Sequence, residues 1–527
     1  MSAPGLPGVW GVARTQGSAR NIRDPSVPPT SGKDLLNKPM VKSSGGQRES
    51  EGVVVPTKGG QHNPSSGKGP HFGHASQAGK RKGMTARSNY PGGRESAGNV
   101  QQLQDKLWTA AKQSPRRRFH ALYDRISRTD VLEEAWKRVR KNKGAAGVDG
   151  ITLAQVEDYG VARMISELQT DLQQAKFRPS PVLRRYIPKP DGGNRPLGIP
   201  TVKDRVAQQA AKLVLEPIFE NDFCDSSFGY RPGRSQTQAM EVIRKAFISG
   251  YTQVLEVDIA DFFGSIDHDL LIKLLKQRIS DRRVLKLVKG WLKAGVLDEG
   301  ARTETLAGVP QGGVISPLLA NIYLNVMDQI WEQEGTGILV RFADDAVIVC
   351  RTEIGIQRAE ETLKLCLAIL GLEANVAKTK KVDLREGREG FDFLGCHFHA
   401  RVSGKLLEQG KRKYYLHRWP STRSMKRIRQ KVKARTGSNR GGVKDIKVVI
   451  DDLNPVLRGW GNYFKTGNAA DKFTQIDAYV WRRLTHLLIR KRGRNLKPGM
   501  VDKWTNDWFK EQGLHRLRGT IRYPGAA

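Results

Sequence analysis

Cysteine, aromatic residues and long apolar runs are all scarce in this chain of 527 residues. The four cysteines are Cys224, Cys350, Cys366 and Cys396. No two of them form a C-x-x-C pair, so the sequence predicts neither a zinc site nor a disulfide framework. No stretch has the length and apolar character of a membrane span, and the first residues lack the apolar run of a signal peptide. We therefore expect an intracellular, cytoplasmic protein with reduced thiols and no membrane partner.

Acidic side chains are also few: the chain has 53 Asp and Glu against 89 Lys and Arg, which gives a net charge of +36. The excess is concentrated in residues 401–527, which hold 31 basic and 9 acidic side chains. Such an excess implies a polyanionic partner whose affinity falls steeply with salt. Trp460 and Tyr463 lie three positions apart on a predicted helix and are equally well explained as core residues. The predicted RNA contacts are the basic and aromatic residues Lys426, Arg427, Arg429, Arg458, Trp460 and Tyr463.

Two acidic segments follow apolar runs that are typical of strands. Asp344 and Asp345 interrupt the apolar stretch Ile338–Cys350, which predicts a β-hairpin with both carboxylates at or near its turn. Asp258 ends a second run, Val254–Ile259. If the two runs are neighbours in one sheet, Asp258 and Asp344 face each other and suit a two-metal phosphoryl-transfer site, with ions about 3.5–4 Å apart. The alternative is a pair of surface turns rich in aspartate.

Two further segments suggest contacts with a nucleotide. Lys189 and Arg195 flank an Asp-Gly-Gly turn between short strand-like runs, so hairpin pairing would bring both cations to one place, as a triphosphate requires. The alternative is two exposed hairpin charges. Gln311 lies in the loop GVPQGGVISP, whose glycines allow a ligand to approach the backbone closely. Its side chain could hydrogen-bond a nucleotide or a template.

The motifs IPKPDGGNRPLGIP, SFGYRPGRS, VDIADFF, GVPQGGVISPLLANIYL, RFADD, NVAKTK and FLG occur in an order that resembles the group II intron reverse transcriptases, also called intron-encoded maturases. The resemblance runs from about Val131 to His399. It implies an α+β right-hand polymerase, with fingers and palm built on antiparallel sheet and a helical, basic thumb and maturase domain. Four domains are implied. Residues 1–95 are a disordered or loosely ordered basic extension, and residues 96–180 are a helical extension that begins the fingers. Residues 181–400 are the fingers and palm, and residues 401–527 are the thumb with its RNA-binding region.

Matched to the family's motifs, the residues take individual roles. The resemblance implies that Asp258, Asp344 and Asp345 are catalytic and hold two Mg²⁺ ions. Phe263 matches the bulky gate against a ribose 2′-hydroxyl. The remaining nucleotide contacts are Lys189, Arg195, Gln311 and Lys378. The turn that supports the primer end is formed by Leu394 and Gly395.

The implied function is an RNA-directed DNA polymerase that binds its group II intron RNA and assists splicing and mobility. Its partners would be that RNA, an RNA template with a DNA primer, a DNA target and dNTPs. A catalytically silent splicing cofactor is the alternative, and an RNA-directed RNA polymerase is disfavoured by Phe263. Phe342 stands where the family usually has Tyr, a change that removes a hydroxyl and keeps the ring. No cysteine follows Cys396, so we expect no C-terminal endonuclease of the kind that binds metal through paired cysteines.

Overall fold

The computed structural model describes residues 98–188, 193–298, 300–303, 307–437 and 445–523. The predicted disorder of residues 1–95 and the predicted triphosphate contact Lys189 lie outside these ranges. None of the helices in the described ranges is long and apolar enough to cross a membrane.

The helices are α1 (Asn99–Gln113), α2 (Tyr123–Ile126), α3 (Thr129–Asn142), α4 (Leu153–Tyr159), α5 (Val161–Gln173), α6 (Val202–Phe219), α7 (Gln236–Ile248), α8 (Phe262–Ser265), α9 (His268–Arg278), α10 (Arg282–Lys293), α11 (Ser316–Glu334), α12 (Glu353–Ile369), α13 (Gly404–Glu408), α14 (Thr422–Arg435), α15 (Ile446–Phe464), α16 (Ala470–Arg492) and α17 (Asn506–Glu511). The strands are β1 (Val182–Pro188), β2 (Asn194–Ile199), β3 (Gln253–Val257), β4 (Val296–Asp298), β5 (Ala301–Thr303), β6 (Ile338–Phe342), β7 (Asp345–Cys350), β8 (Lys380–Asp383), β9 (Gly390–Phe393), β10 (Cys396–Val402) and β11 (Tyr414–Pro420).

A four-stranded sheet with the order β6-β7-β3-β8, called here the central sheet, carries the acidic motifs. All of its pairings are antiparallel, and β3 lies directly beside β7, which meets the condition that the two-metal interpretation requires. Successive side chains alternate between its two faces. Leu255 and Ile348 enter a core built with α6, α9, α11 and α12, whereas Val254 and Val347 enter a second core with α7 and the C-terminal elements. The sheet is buried on both faces, which fixes its register.

A second sheet has the order β2-β1-β4-β5. The predicted hairpin is present, with Ile187 opposite Arg195 and Pro188 opposite Asn194. The parallel pairing of β1 with β4 joins segments more than a hundred residues apart and has no local signal in the sequence. Before α2, which is a single turn, Phe119 forms an isolated bridge with Ile279.

A third sheet, β11-β10-β9, is called here the C-terminal sheet, and α14, α15 and α16 form a bundle beside it. The bundle matches the expected helical, basic C-terminal region. The expected boundary between residues 400 and 401 falls inside β10, whose hairpin partner β11 extends to Pro420. Mixed helix and antiparallel sheet, the coarse fold expected from sequence, is what the chain adopts.

Candidate active site

Asp344 lies in the tight turn of the hairpin formed by β6 and β7. Phe342 pairs with Asp345, which leaves Ala343 and Asp344 as the two turn residues. Ala343 adopts a φ of 60°, the left-handed region that short hairpin turns favour. For a residue with a Cβ, this conformation costs about 1 kcal/mol or more in free energy, so the surrounding structure must hold the turn in place.

Arg341 supplies that support from inside the protein. Its guanidinium is fully buried, and its Nε donates to Asp328 Oδ1 at 2.8 Å. One terminal nitrogen donates to the Ala343 carbonyl at 2.9 Å and to Asn321 Oδ1 at 3.1 Å, and the other donates to Ser227 Oγ at 2.8 Å. The buried cation therefore connects the turn to α11 and to the loop before α7.

That loop contains the motif SFGYRPGRS and packs directly against the turn. The Phe228 amide donates to the Arg341 carbonyl at 2.8 Å. A Cβ at Gly229 would overlap the backbone nitrogen of Ala343, so only glycine permits this approach. Tyr230, with a φ of 58°, leaves its ring exposed beside Asp344. The motif thus shapes the site through its backbone.

Asp258 follows β3, whose last pair joins Val257 with Ala346, so Asp258 emerges beside Asp345. Burial and the neighbouring carboxylates of Asp344 and Asp258 raise the pKa of Asp345 to about 6. Burial and Asp258 also raise the pKa of Asp344, while Arg195 opposes that shift. Lys378 Nζ lies 3.4 Å from Asp258 Oδ2. The predicted catalytic carboxylates therefore form one electrostatic cluster, with two of the predicted cations beside it.

The carboxylate cluster suits a divalent ion that arrives with its substrate. Among the described residues, no three His, Cys, Asp or Glu side chains form a ready-made metal site. Mg²⁺ is ordinarily held by one or two carboxylates together with substrate phosphates and water, so a closed protein cage is not expected. Burial raises the pKa of Asp345 most, and the charges of Asp344 and Asp258 raise it further; an added cation would relieve this part of the shift.

The cluster opens into a cleft of about 710 Å³ between the central sheet and the C-terminal bundle. One wall carries Arg195, Tyr230 and Phe342, and the opposite wall is formed by α14 and α15. On α14, Arg427 and Lys431 line the cleft. The positive charge of Arg423, on the same helix, acts to lower the pKa of Asp345. The cleft is therefore acidic at its floor and basic at its wall.

The cations on this wall were only partly predicted. Arg423, Arg427 and Lys431 repeat every four residues and so share one face of α14. Lys426 and Arg429 do not line the cleft. Sequence reasoning grouped Arg427 with these two and missed Arg423, although the four-residue spacing could have identified it.

Leu394 and Gly395 form the turn between β9 and β10, and both line the cleft. The C-terminal bundle holds this turn through three hydrogen bonds. The Tyr463 hydroxyl donates to the Leu394 carbonyl at 2.9 Å, Ser424 Oγ donates to the Gly395 carbonyl at 2.7 Å, and the Ser421 amide donates to the same oxygen at 3.0 Å. The bundle thereby fixes the turn that the resemblance assigns to the primer end.

Tyr463→Phe is expected to loosen the turn, because the partly buried Leu394 carbonyl loses its donor at a net cost of about 1 kcal/mol. We expect KM for a primer–template to rise about fivefold while kcat changes little. Steady-state primer extension measures both parameters. Tyr479→Phe, whose ring is partly buried in the same core, is the matched control. Equal KM values for the two variants would contradict this role.

The other predicted RNA contacts on α15 separate into two groups. Trp460 packs against Phe464 and Phe473, with ring centroids 5.0 and 5.4 Å away, at the margin of the cleft. Together with the Tyr463 bond, this packing favours the core interpretation of both rings. Arg458 is exposed in a different groove of about 500 Å³, which it shares with basic residues of the C-terminal segment: Lys510, His515, Arg516 and Arg518.

Phe263 and Gln311 are linked through the backbone. Phe263 lies in α8, with its ring 5.1 Å from that of Phe262, and its carbonyl accepts from the Val309 amide at 2.7 Å. The Gln311 carbonyl accepts from the Gly198 amide at 2.6 Å, in the strand that carries Arg195. Backbone hydrogen bonds therefore connect Phe263, the predicted gate, to the glycine-rich loop, and connect that loop to β2.

Two family models match the chain. One, described as reverse transcriptase (RNA-dependent DNA polymerase), matches residues 187–398. The other, described as the maturase-specific domain of group II introns, matches residues 425–504. The first match contains the carboxylate cluster, and the second begins in α14 and contains α15 and α16.

Several curated proteins are similar in sequence. Protein YkfC of Escherichia coli is 34% identical over 339 residues, which cover 56% of this chain and 87% of that protein. The group II intron-encoded protein LtrA of Lactococcus lactis is 39% identical over 212 residues, 40% of this chain and 35% of LtrA. Nuclear intron maturase 1, mitochondrial, of Arabidopsis thaliana is 34% identical over 94 residues, which cover 18% of this chain and 13% of that protein. The chain thus spans only about a third of LtrA.

Proposed function

Because this chain belongs to the family of group II intron reverse transcriptases and maturases, we propose that it is an RNA-directed DNA polymerase which also binds an intron RNA and assists its splicing and mobility. The observation that carries the proposal is the convergence of Asp258, Asp344 and Asp345, the last two of which line a cleft with a basic wall. The proposed division is fingers at the sheet β2-β1-β4-β5, palm at the central sheet and thumb at the C-terminal bundle.

In the proposed reaction, a primer 3′-hydroxyl attacks the α-phosphate of a dNTP and pyrophosphate leaves. Asp258, Asp344 and Asp345 would hold two Mg²⁺ ions, which supply the Lewis acid for this transfer. Arg195, and Lys189 by resemblance, would bind the triphosphate. Lys378 balances the charge of Asp258 beside the reacting groups. Phe342 lines the cleft. The hydroxyl that a tyrosine would have at this position is not needed for metal binding or in-line attack.

The RNA partners divide between two surfaces. The cleft wall at Arg423, Arg427 and Lys431 is proposed to follow the backbone of the template and primer. Lys426, Arg429 and Arg458 do not line the cleft and are proposed to contact intron RNA. This division gives the polymerase and the splicing functions separate electrostatic surfaces.

Neutralising Arg427 and Lys431 together, by Arg427→Gln and Lys431→Gln, is expected to reduce the salt dependence of primer–template binding. Two lost phosphate contacts lower the slope of log K against log salt by about 1.5–2. The measurement is an anisotropy titration over a range of salt concentrations. Lys426→Gln with Arg429→Gln, on the same helix but outside the lining of the cleft, is the matched control and should leave this slope unchanged. The reverse pattern would contradict the assignment of the cleft wall.

Sugar selection at Phe263 tests the proposed activity. The natural chain is expected to extend a primer on an RNA template with dNTPs and to reject NTPs. Phe263→Val, which shortens the side chain next to the incoming sugar, should raise NTP incorporation by at least about tenfold while dNTP incorporation changes much less. Single-nucleotide incorporation under matched concentrations measures the ratio. An unchanged ratio would remove Phe263 from the site.

The second candidate is a splicing cofactor without polymerase activity, favoured by the match to the maturase-specific domain. It predicts tight RNA binding and faster intron splicing with no extension of any primer. The carboxylate cluster counts against it, because mutually repelling carboxylates at the floor of a cleft are costly for a scaffold to maintain.

A further inference from the structure

The outward face of the C-terminal sheet has the composition of a binding surface. Alternate residues of its strands point away from the core and are partly or fully exposed. We call these residues the outer sheet face: Asp392, His397, His399, Arg401, Tyr415, His417 and Trp419. The opposite positions, which include Phe391, Phe398 and Leu416, are buried in the second core. The sheet is therefore anchored on one face and open on the other.

The side chains of the outer sheet face gather around one ring. The centroid of Trp419 lies 5.3 Å from His397 and 6.2 Å from His399. The Arg401 guanidinium sits over Trp419 at 4.7 Å, and Lys413 Nζ lies 5.5 Å from the Tyr415 ring. Flat rings with cations beside them provide stacking surfaces for nucleic-acid bases.

Two simpler explanations fit less well. Cross-strand ring pairs stabilise sheets, but the buried face already anchors this one, and stabilisation does not require exposed imidazole and guanidinium groups. A metal site is disfavoured, because the described residues contain no group of three His, Cys, Asp or Glu able to hold an ion. In addition, burial, Arg401 and His399 lower the pKa of His417, so positive charge already surrounds it.

One border of this face is positively charged. The connection between β10 and β11 contains four basic residues and one acidic residue, Lys405, Lys411, Arg412, Lys413 and Glu408. On the face itself, Asp392 is hydrogen-bonded to His397 Nδ1 at 2.7 Å. Partly exposed rings bordered on one side by cations match a ligand with flat bases and a phosphate backbone.

We propose that the outer sheet face binds unpaired RNA, with bases stacked on Trp419 and the neighbouring imidazoles and with phosphates held by the basic connection. The inference rests on the proposed function only in requiring RNA as a partner. Stacking tolerates any base, so the surface recognises single strands and shows little preference for sequence. It gives the chain a contact with looped or unpaired RNA outside the polymerase cleft.

The test uses the full chain with its cleft loaded with a primer–template duplex, and a fluorescent 12-nucleotide single-stranded oligouridylate as the probe. Trp419→Leu with Arg401→Gln is expected to weaken probe binding about tenfold by anisotropy. Trp419→Phe, which retains a ring, should bind within about twofold of the natural chain. The control is Tyr159→Leu with Arg163→Gln, which removes an exposed ring and guanidinium 4.6 Å apart on α4 and α5. It should bind as the natural chain does.

Photocrosslinking with a 4-thiouridine probe locates the contact independently of any polymerase activity. Crosslinks within residues 397–401 and 415–419 are expected. Crosslinks confined to the cleft, equal binding by the double variant and its control, or loss of binding in Trp419→Phe would overturn the proposal. Melting temperatures of all variants identify any that fail to fold. A chain that extends no primer but crosslinks at this face would contradict the proposed polymerase and leave this inference standing.

Discussion

Arg341→Met is expected to lower the free energy of unfolding by about 3–5 kcal/mol, because it removes one partner of a fully buried ion pair. The carboxylate of Asp328 would remain buried without its counter-charge. Ser227, Asn321 and the Ala343 carbonyl would lose a hydrogen-bond donor at the same time. The turn that carries Asp344 would lose its main support, so activity should fall together with stability.

Urea denaturation measures the change, and two controls separate its causes. Arg138→Met breaks a partly exposed pair with Glu134 on α3 and should cost less than about 1 kcal/mol. Arg341→Met combined with Asp328→Leu removes both charges and should recover a large part of the loss. A single variant as stable as the Arg138 control would show that Arg341 does not support the turn.

Asp344→Asn is expected to reduce the rate of nucleotide addition by at least about a thousandfold while leaving RNA affinity within about twofold. The substitution keeps the shape of the side chain and removes the charge that a divalent ion requires. Because it also removes a charge that raises the pKa of Asp345, the melting temperature should not fall. Single-turnover extension and a binding titration on the same sample separate the two effects.

The matched control is Asp158→Asn, at an exposed position of α4, which should extend primers at the natural rate. A large loss of RNA affinity in the Asp344 variant would contradict the proposed separation of the acidic floor, for catalysis, from the basic wall, for RNA binding.

The turn at Asp344 was predictable because its signals are local. Apolar runs on both sides of Asp344 and Asp345 indicate two strands and a short turn, and the structure has both strands. The pairing of β3 with β7 was a condition of the two-metal interpretation, which needs Asp258 and Asp344 on neighbouring strands. The register meets that condition, although no local signal in the sequence specified the pairing.

What could not be predicted depends on packing between distant segments. The sequence around Arg341 does not show that a cation is buried there, because its partner Asp328 lies on α11. The parallel pairing of β1 with β4 likewise joins strands separated by several helices. The bonds from Tyr463 and Ser424 to the turn at Leu394 and Gly395 depend on how the C-terminal bundle docks against the C-terminal sheet.

Primer extension by the natural chain on an RNA template of known sequence, with dNTPs and Mg²⁺, tests the central claim most directly. The account predicts a DNA product complementary to the template, formed with Mg²⁺ and abolished by EDTA. No product from a folded chain that still binds the primer–template would contradict it. In that case, the acidic floor of the cleft would not be a polymerase site, and the splicing-cofactor function would take its place.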